Sequence, residues 1–286
     1  MEQPILEVRT KQLIEVDGLR FKDLNGNGVL DPYEDWRLSP AERAADLASR
    51  MNVNEQVGMM LINTRFTGWG VPEGEPTSHD GALDERTIAE GTSIFATRRI
   101  HPSSTTIAEL HLRHFIQRDN VAPSKLAAWI NAMNEVAEGT RLGIPCIATS
   151  NSRNENGELV FGMNDAFGIF STFPGTLGLA AAVLGDQAAG GDAQLISDFA
   201  EAVRHEWTAT GLRKGYMYMC DVVTDPRWQR IYGTFGEDPE LVSDIIARLV
   251  AGLQLDELGR NSIATTVKHF PGGGPRENGF DPHYAE

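Results

Sequence analysis

The chain has 286 residues, 41% of them hydrophobic, enough for a sizeable core in one large domain or two small ones. A formal net charge of −15 argues against nucleic acid and against a membrane surface as partners, since both are anionic, and leaves a neutral sugar or a divalent cation as compatible ligands. No apolar run is long enough to span a bilayer.

In chain order, residues 1–22 are mixed in character and read as an extended arm. Asp23-Leu24-Asn25-Gly26-Asn27-Gly28-Val29-Leu30-Asp31-Pro32-Tyr33-Glu34 matches the twelve-residue EF-hand calcium loop. Oxygen side chains fall at positions 1, 3, 5 and 9 as Asp23, Asn25, Asn27 and Asp31. Gly28 stands where the chain must turn, Val29 offers a carbonyl, and Glu34 offers two oxygens. A hard cation suits that oxygen cage; an Asn/Gly-rich turn without metal is the alternative. Pro32, and the lack of a clear helix before Asp23, favour a lone structural calcium over a paired regulatory EF-hand. No organic cofactor is expected.

Ser39-Pro40-Ala41-Glu42 is a capping box with Pro at N1, opening a helix that includes Ala45, Leu47 and Met51. A second helical piece, Glu55–Leu61, is Met-rich, and its methionines read as core filler. Thr64–Glu90 reads as a loop, Ser93–Ala96 as a short strand, and Thr105–Ile116 as helical. Pro123–Glu138 is a helix with Leu126, Trp129, Ile130 and Met133 at helical spacing. Ile144–Ala148 reads as a buried strand with the polar run Ser150–Asn154 at its C-terminal end. Asn164–Gly178 is loop-like, its Phe167, Phe170 and Phe173 lining a pocket or packing in the core. Asp192–Thr210 is an amphipathic helix striped by Ile196, Phe199, Val203 and Trp207. Tyr216–Val223 reads as a strand, Pro239–Leu255 as a helix facing Leu241, Ile245, Leu249 and Leu253 inward, and Ser262–Val267 as a buried parallel strand. Cys146 and Cys220, in apolar runs, read as buried free thiols.

The last strand ends on Lys268 and His269, followed at once by Pro271 and the glycines Gly272, Gly273 and Gly274. Pro and Gly stop a strand and allow close backbone approach, and reactive groups of α/β proteins gather where strands end. The order strand, polar loop, helix argues for a parallel α/β fold.

Lys268–Gly274 with the following Pro275–His283, together with Asp225-Pro226-Arg227-Trp228-Gln229-Arg230 and the later Thr234–Asp238, resembles glycoside hydrolase family 3, nearest to its bacterial β-glucosidase-like members. The resemblance runs from about Gln12 to the last residue and implies a (β/α)8 barrel. Such a barrel needs eight strands and about 250 residues. Only four segments read as strands, so residues 39–286 are expected to be the N-terminal portion of a barrel, preceded by 1–38 as an arm with its calcium loop.

The resemblance further implies a retaining, exo-acting glycosidase on β-linked glucosides. Its two carboxyl groups, about 5 Å apart, come from motifs not found before Glu286. No catalytic residue is therefore expected in this chain. Nearby Asp221, Asp225, Glu277 and Asp281 are not read as substitutes; Asp225 and Asp281 precede prolines and shape turns. The resemblance assigns sugar hydroxyls to Arg230, Lys268 and His269, whose forks and donors suit hydroxyl pairs. Asn151, where many members carry Asp, and Ser152 and Arg153 are further candidate contacts. An Arg230 salt bridge to Glu237 or Asp238 is the structural alternative. Three readings stay open: a hydrolase or one chain of a two-part enzyme, a catalytically silent carbohydrate-binding fragment, and a calcium-stabilised scaffold. The expected compartment is periplasmic or secreted, though Met1–Ile5 carries no signal-peptide pattern. Self-association, or pairing with a downstream part, is expected from exposed strand edges.

Overall fold

A computed structural model describes residues 2–65, 80–87, 89–90, 100–117, 121–156, 169–266, 268–270 and 272–282. The chain divides into two compact units. One takes in Met1–Asn63, Thr67–Phe115 and Ser124–Ile147; the other takes in Thr64–Phe66, Ile116–Pro123 and Ala148–Glu286.

The first unit opens with an antiparallel hairpin, β1 (Gln12–Val16) and β2 (Leu19–Asp23), where the sequence suggested an arm. The signal was present in Asp17-Gly18: both residues have positive φ, 54° and 76°, as a two-residue hairpin turn of matching twist requires. Phe21 of β2 is fully buried and stacks on Trp36 at 5.3 Å. The expected capping box is formed: Ser39 and Glu42 exchange hydrogen bonds at the start of α1 (Pro40–Arg50). A second box, Asn52 with Glu55, moves the start of α2 back to Val53, and the helix ends at Met59. Leu47, Met51 and Met59 pack on a cluster of Tyr33, Leu142 and Ile144, as filler should. Met60 does not, being 83% exposed.

The helix expected over 105–116 is shorter and is followed by a strand. α3 covers Ser103–Ala108, the chain turns at His111 with φ 57°, and β4 runs His114–Gln117. The left-handed residue ends any helix there, and the apolar pair Phe115-Ile116 then serves a strand. α4 (Pro123–Glu138) matches its expected bounds, with Leu126, Trp129, Ile130 and Met133 buried. Thr64 is in β3 (Ile62–Arg65) rather than in the loop. The strand expected at Ser93–Ala96 lies outside the described residues.

The second unit holds the C-terminal ends of a five-stranded sheet in the order β3-β4-β5-β6-β7. β5 is Ile147–Ser150, β6 Lys214–Gly215 and β7 Ala264–Thr265; β5–β6 and β6–β7 are parallel. Three strand expectations are thus corrected. β5 begins later than Ile144. The run 216–223 ladders hardly at all beyond Gly215, returning as one parallel bridge, Met219 to Lys268. Its apolar signal reported burial of Met217, Tyr218 and Met219, which periodicity cannot tell from pairing. β7 is half-buried rather than buried.

Helices cover this unit's sheet. α5 (Thr176–Ala188) was unforeseen; its Thr176–Gly178 start falls inside the presumed loop, whose residues 164–168 are not described. Phe170 is buried and Phe173 meets Phe199 edge-on at 4.9 Å, so both serve the core; Phe167 lies outside the described residues. α6 (Gln194–Thr210) buries all four stripe residues and stops at Gly211 with φ 90°. α7 (Pro239–Gln254), capped by Asp238, buries Val242, Ile245, Leu249 and Leu253, with Val242 taking the place expected for Leu241. α6 and α7 touch where a Cβ on Gly252 would stand 2.6 Å from the Ala200 Cβ. Among the described residues no helix is long and apolar enough to cross a membrane.

Two glycines give a paired test. Gly185 in α5 faces open space, so Gly185→Ala should stabilise by up to about 1 kcal/mol, whereas Gly252→Ala should destabilise by about 1–3 kcal/mol in denaturant unfolding. In the first unit, burial pushes the Glu138 carboxyl up, but bonds from Arg9 N, Thr10 N and Thr10 Oγ1 at 2.7, 2.8 and 3.1 Å outweigh it and hold it below its usual value. Its contribution is present above the ordinary carboxylate range and lost as pH falls through the depressed value. Acid titration of stability should therefore show a loss beginning below about pH 4.3 that Glu138→Gln reduces.

Candidate functional site

The strand ends of the second unit carry the polar side chains. Lys268, just past β7, is 9% exposed, so its ammonium must find acceptors within the protein. Nζ donates to Asn151 Oδ1 at 3.1 Å and to the Tyr216 carbonyl at 3.0 Å, and lies 4.7 Å from the Tyr216 ring centroid. Asn151 is the first residue after β5 and Tyr216 the first after β6, so three adjacent strand ends converge on one cation.

Arg230 sits before a short 3-10 turn, Ile231–Gly233. Its Nε is 3.7 Å from Asp281 Oδ2 and its Nη2 3.6 Å from Met219 Sδ. The counter-ion is Asp281, 3% exposed, rather than Glu237 or Asp238; Asp238 is spent capping α7. Asp225 behaves as a turn former: it pairs with Arg227 at 2.7 Å, and that bond holds its carboxyl down at about 2.

Asn151, Ser152, Glu155, Arg230 and Lys268 line one hollow, with Tyr232, 41% exposed, at its side. Its volume is about 60 Å³. Arg153 and His269 are not on its wall. Arg153 is buried, donating from Nε to Ser150 Oγ at 2.6 Å and from Nη2 to the Gln117 carbonyl at 2.5 Å, which ties β5 to β4. His269 lies beside Lys268 with its Nδ1 2.8 Å from Asp221 Oδ2, while Asp221 Oδ1 accepts the Gly273 amide at 2.5 Å. A Cβ on Gly273 would stand 2.9 Å from that oxygen, so the glycine run does permit close approach. Glu155, one residue beyond the polar run Ser150–Asn154, carries no signal in the sequence, and only the fold turns it into the hollow.

A model of the Glycosyl hydrolase family 3 N terminal domain matches residues 96–285. The chain belongs to this family. It is 39% identical over 99% of its length to a periplasmic beta-glucosidase/beta-xylosidase of Dickeya chrysanthemi, and 36% identical over 88% to a probable beta-glucosidase C of Aspergillus oryzae. It spans 39% and 35% of those two relatives. Among solved structures, a β-glucosidase from Erythrobacter marinus is 26% identical with a TM-score of 0.59, over 88% of this chain and 28% of that one. A family 3 β-N-acetylglucosaminidase from Paenibacillus, at 21% identity and a TM-score of 0.57 over 82% of this chain and 35% of that one, shares the fold.

The Asp23–Glu34 loop belongs to the first unit. Asp23 carboxylate oxygens accept the Asn27 and Gly28 amides at 3.0 and 2.9 Å. Asn25 and Asn27 side chains both meet Asp31 Oδ2, at 2.6 and 2.8 Å, and Arg50 reaches Asp31 Oδ1 at 2.8 Å. Glu34 accepts amides of Leu24, Asn25 and Asp31. Among the described residues no group of three or more His, Cys, Asp or Glu stands in an arrangement that could hold a metal ion. Both cysteines are free thiols; Cys146 is buried, and burial pushes it up to about 12, while Cys220 is only half-buried.

Lys268 carries the site's stability as well as its charge. Lys268→Met should cost about 1–3 kcal/mol in thermal or denaturant unfolding, because buried acceptors lose their donor.

Proposed function

We propose that this chain supplies the sugar-gripping part of a retaining, exo-acting β-glucosidase-like active site. The observation that carries the reading is the hollow shared by Arg230, Lys268 and Asn151 at the strand ends. Two cations and an amide there can pair with the hydroxyls of one sugar unit, and an unpaired buried hydroxyl would cost binding. His269 joins from the neighbouring position. Family membership and relatives named as β-glucosidases support the reaction class. The parallel sheet, with polar groups at its C-terminal ends, supports a (β/α)8-type architecture. In this reading the nucleophile and acid/base come from polypeptide beyond residues 1–286. Relatives called periplasmic support a periplasmic or secreted location. Exposed apolar side chains on α2, Val53 and Val57, support self-association or pairing with further polypeptide.

Calorimetry with glucose and a nitrophenyl β-glucoside assay test the reading together, each run with this chain alone and with a downstream family segment added. Binding to the chain, with hydrolysis only on complementation, is the expected outcome; Arg230→Ala should weaken binding at least tenfold. Binding without hydrolysis in either case would favour a silent carbohydrate-binding role. Undetectable binding would sink the sugar reading.

We also propose that the Asp23–Glu34 loop takes one structural calcium ion. Six oxygen donors at EF-hand spacing support it. Calcium would have to displace internal bonds and compete with Arg50 for Asp31, so weak binding is expected. Calcium at millimolar concentration should raise Tm relative to chelator, and Asp23→Ala should abolish the difference.

A further inference from the structure

We infer that Asp221 is a positioning residue that sets the tautomer of His269, leaving its Nε2 a bare acceptor for a sugar hydroxyl; the sugar part rests on the function proposed above. Asp221 is buried, with its side chain 2% exposed, and spends one oxygen on each of two partners. Oδ1 accepts the Gly273 amide, which fixes the carboxylate plane. Oδ2 faces His269 Nδ1 at 2.8 Å. A carboxylate only accepts, so the proton between them belongs to Nδ1. In the neutral ring the other nitrogen then carries a lone pair and no hydrogen. The His269 side chain is 31% exposed, so the ring is not sealed in the core. Lys268, its neighbour, can only donate, and Arg230 can only donate. His269 thereby adds an acceptor beside its donor neighbour Lys268, and a sugar hydroxyl needs both. Gly273 belongs to the same device, since a side chain there would strike both the Asp221 carboxylate and the imidazole at 2.9 and 3.0 Å.

The isosteric change Asp221→Asn separates positioning from packing. Asn has one oxygen and one amino group. With the oxygen kept on the Gly273 amide, the amino group donates to Nδ1 and the ring must move its proton to Nε2. Histidine-labelled protein is followed by long-range proton–nitrogen NMR at mildly alkaline pH, with the His269 signal assigned from its loss in His269→Gln. The wild type should show a protonated Nδ1 and a bare Nε2, and Asp221→Asn should show the reverse, with at least tenfold weaker glucose binding. A wild-type ring protonated at Nε2 overturns the inference even if the variant fails to fold. An unchanged tautomer in a folded Asp221→Asn protein also overturns it. A bare Nε2 that saturating glucose leaves unshifted overturns the sugar role of His269 instead, and leaves the tautomer assignment standing.

Discussion

A buried ammonium dictates the arrangement of the second unit's strand ends. Lys268 cannot stay charged in a low-dielectric setting without acceptors close by, and it takes them from the residues that follow β5 and β6. The three strand ends are thereby held at one point, and the hollow beside them inherits its polar walls. Arg230 meets the same constraint differently, through a carboxylate from the chain's last described stretch. Lys268 is satisfied by groups other than the ligand proposed for it, so its part of the grip is preorganised rather than assembled on binding.

The helices serve that arrangement by packing tightly behind it. α6 buries an unbroken stripe from Ile196 to Trp207, and Trp207 also donates from its indole to Asn154, at the end of the loop that starts with Asn151. Gly252 lets α7 approach α6 to the limit set by Ala200. Asn154 in turn is bonded to Glu206 of α6, so the loop after β5 is tied to a helix at two points. Rigid support of this kind is what a site needs when its polar groups must stay in place before the ligand arrives.

The helices were largely legible because amphipathic stripes and capping residues are local signals; α4 and the stripe of α6 needed nothing beyond spacing. α5 was not, because its start after Gly175 carries no side-chain cap and follows an aromatic loop. Strands fared worse. A two-residue ladder such as β6 has no period to detect, and the apolar run after Gly215 is buried by packing rather than by pairing. At the candidate site, Arg230, Lys268 and Asn151 could be named because the motifs around them resemble those of the family. Asp221 and Asp281 have no partner legible in the sequence, because their partners lie 48 and 51 positions away, distances over which sequence carries no geometric information. Arg153 looked like a ligand contact in sequence; only the fold reveals how many carbonyls and hydroxyls it already serves.

The Lys268 to Asn151 bond spans 117 positions of chain. Loop closure over that length must precede any gain from the contact, so the junction belongs to the late, slow part of folding. On the ribosome, Asn151 and Tyr216 emerge well before the ammonium that joins them. Until then the two strand ends present carbonyls with no cation to gather them.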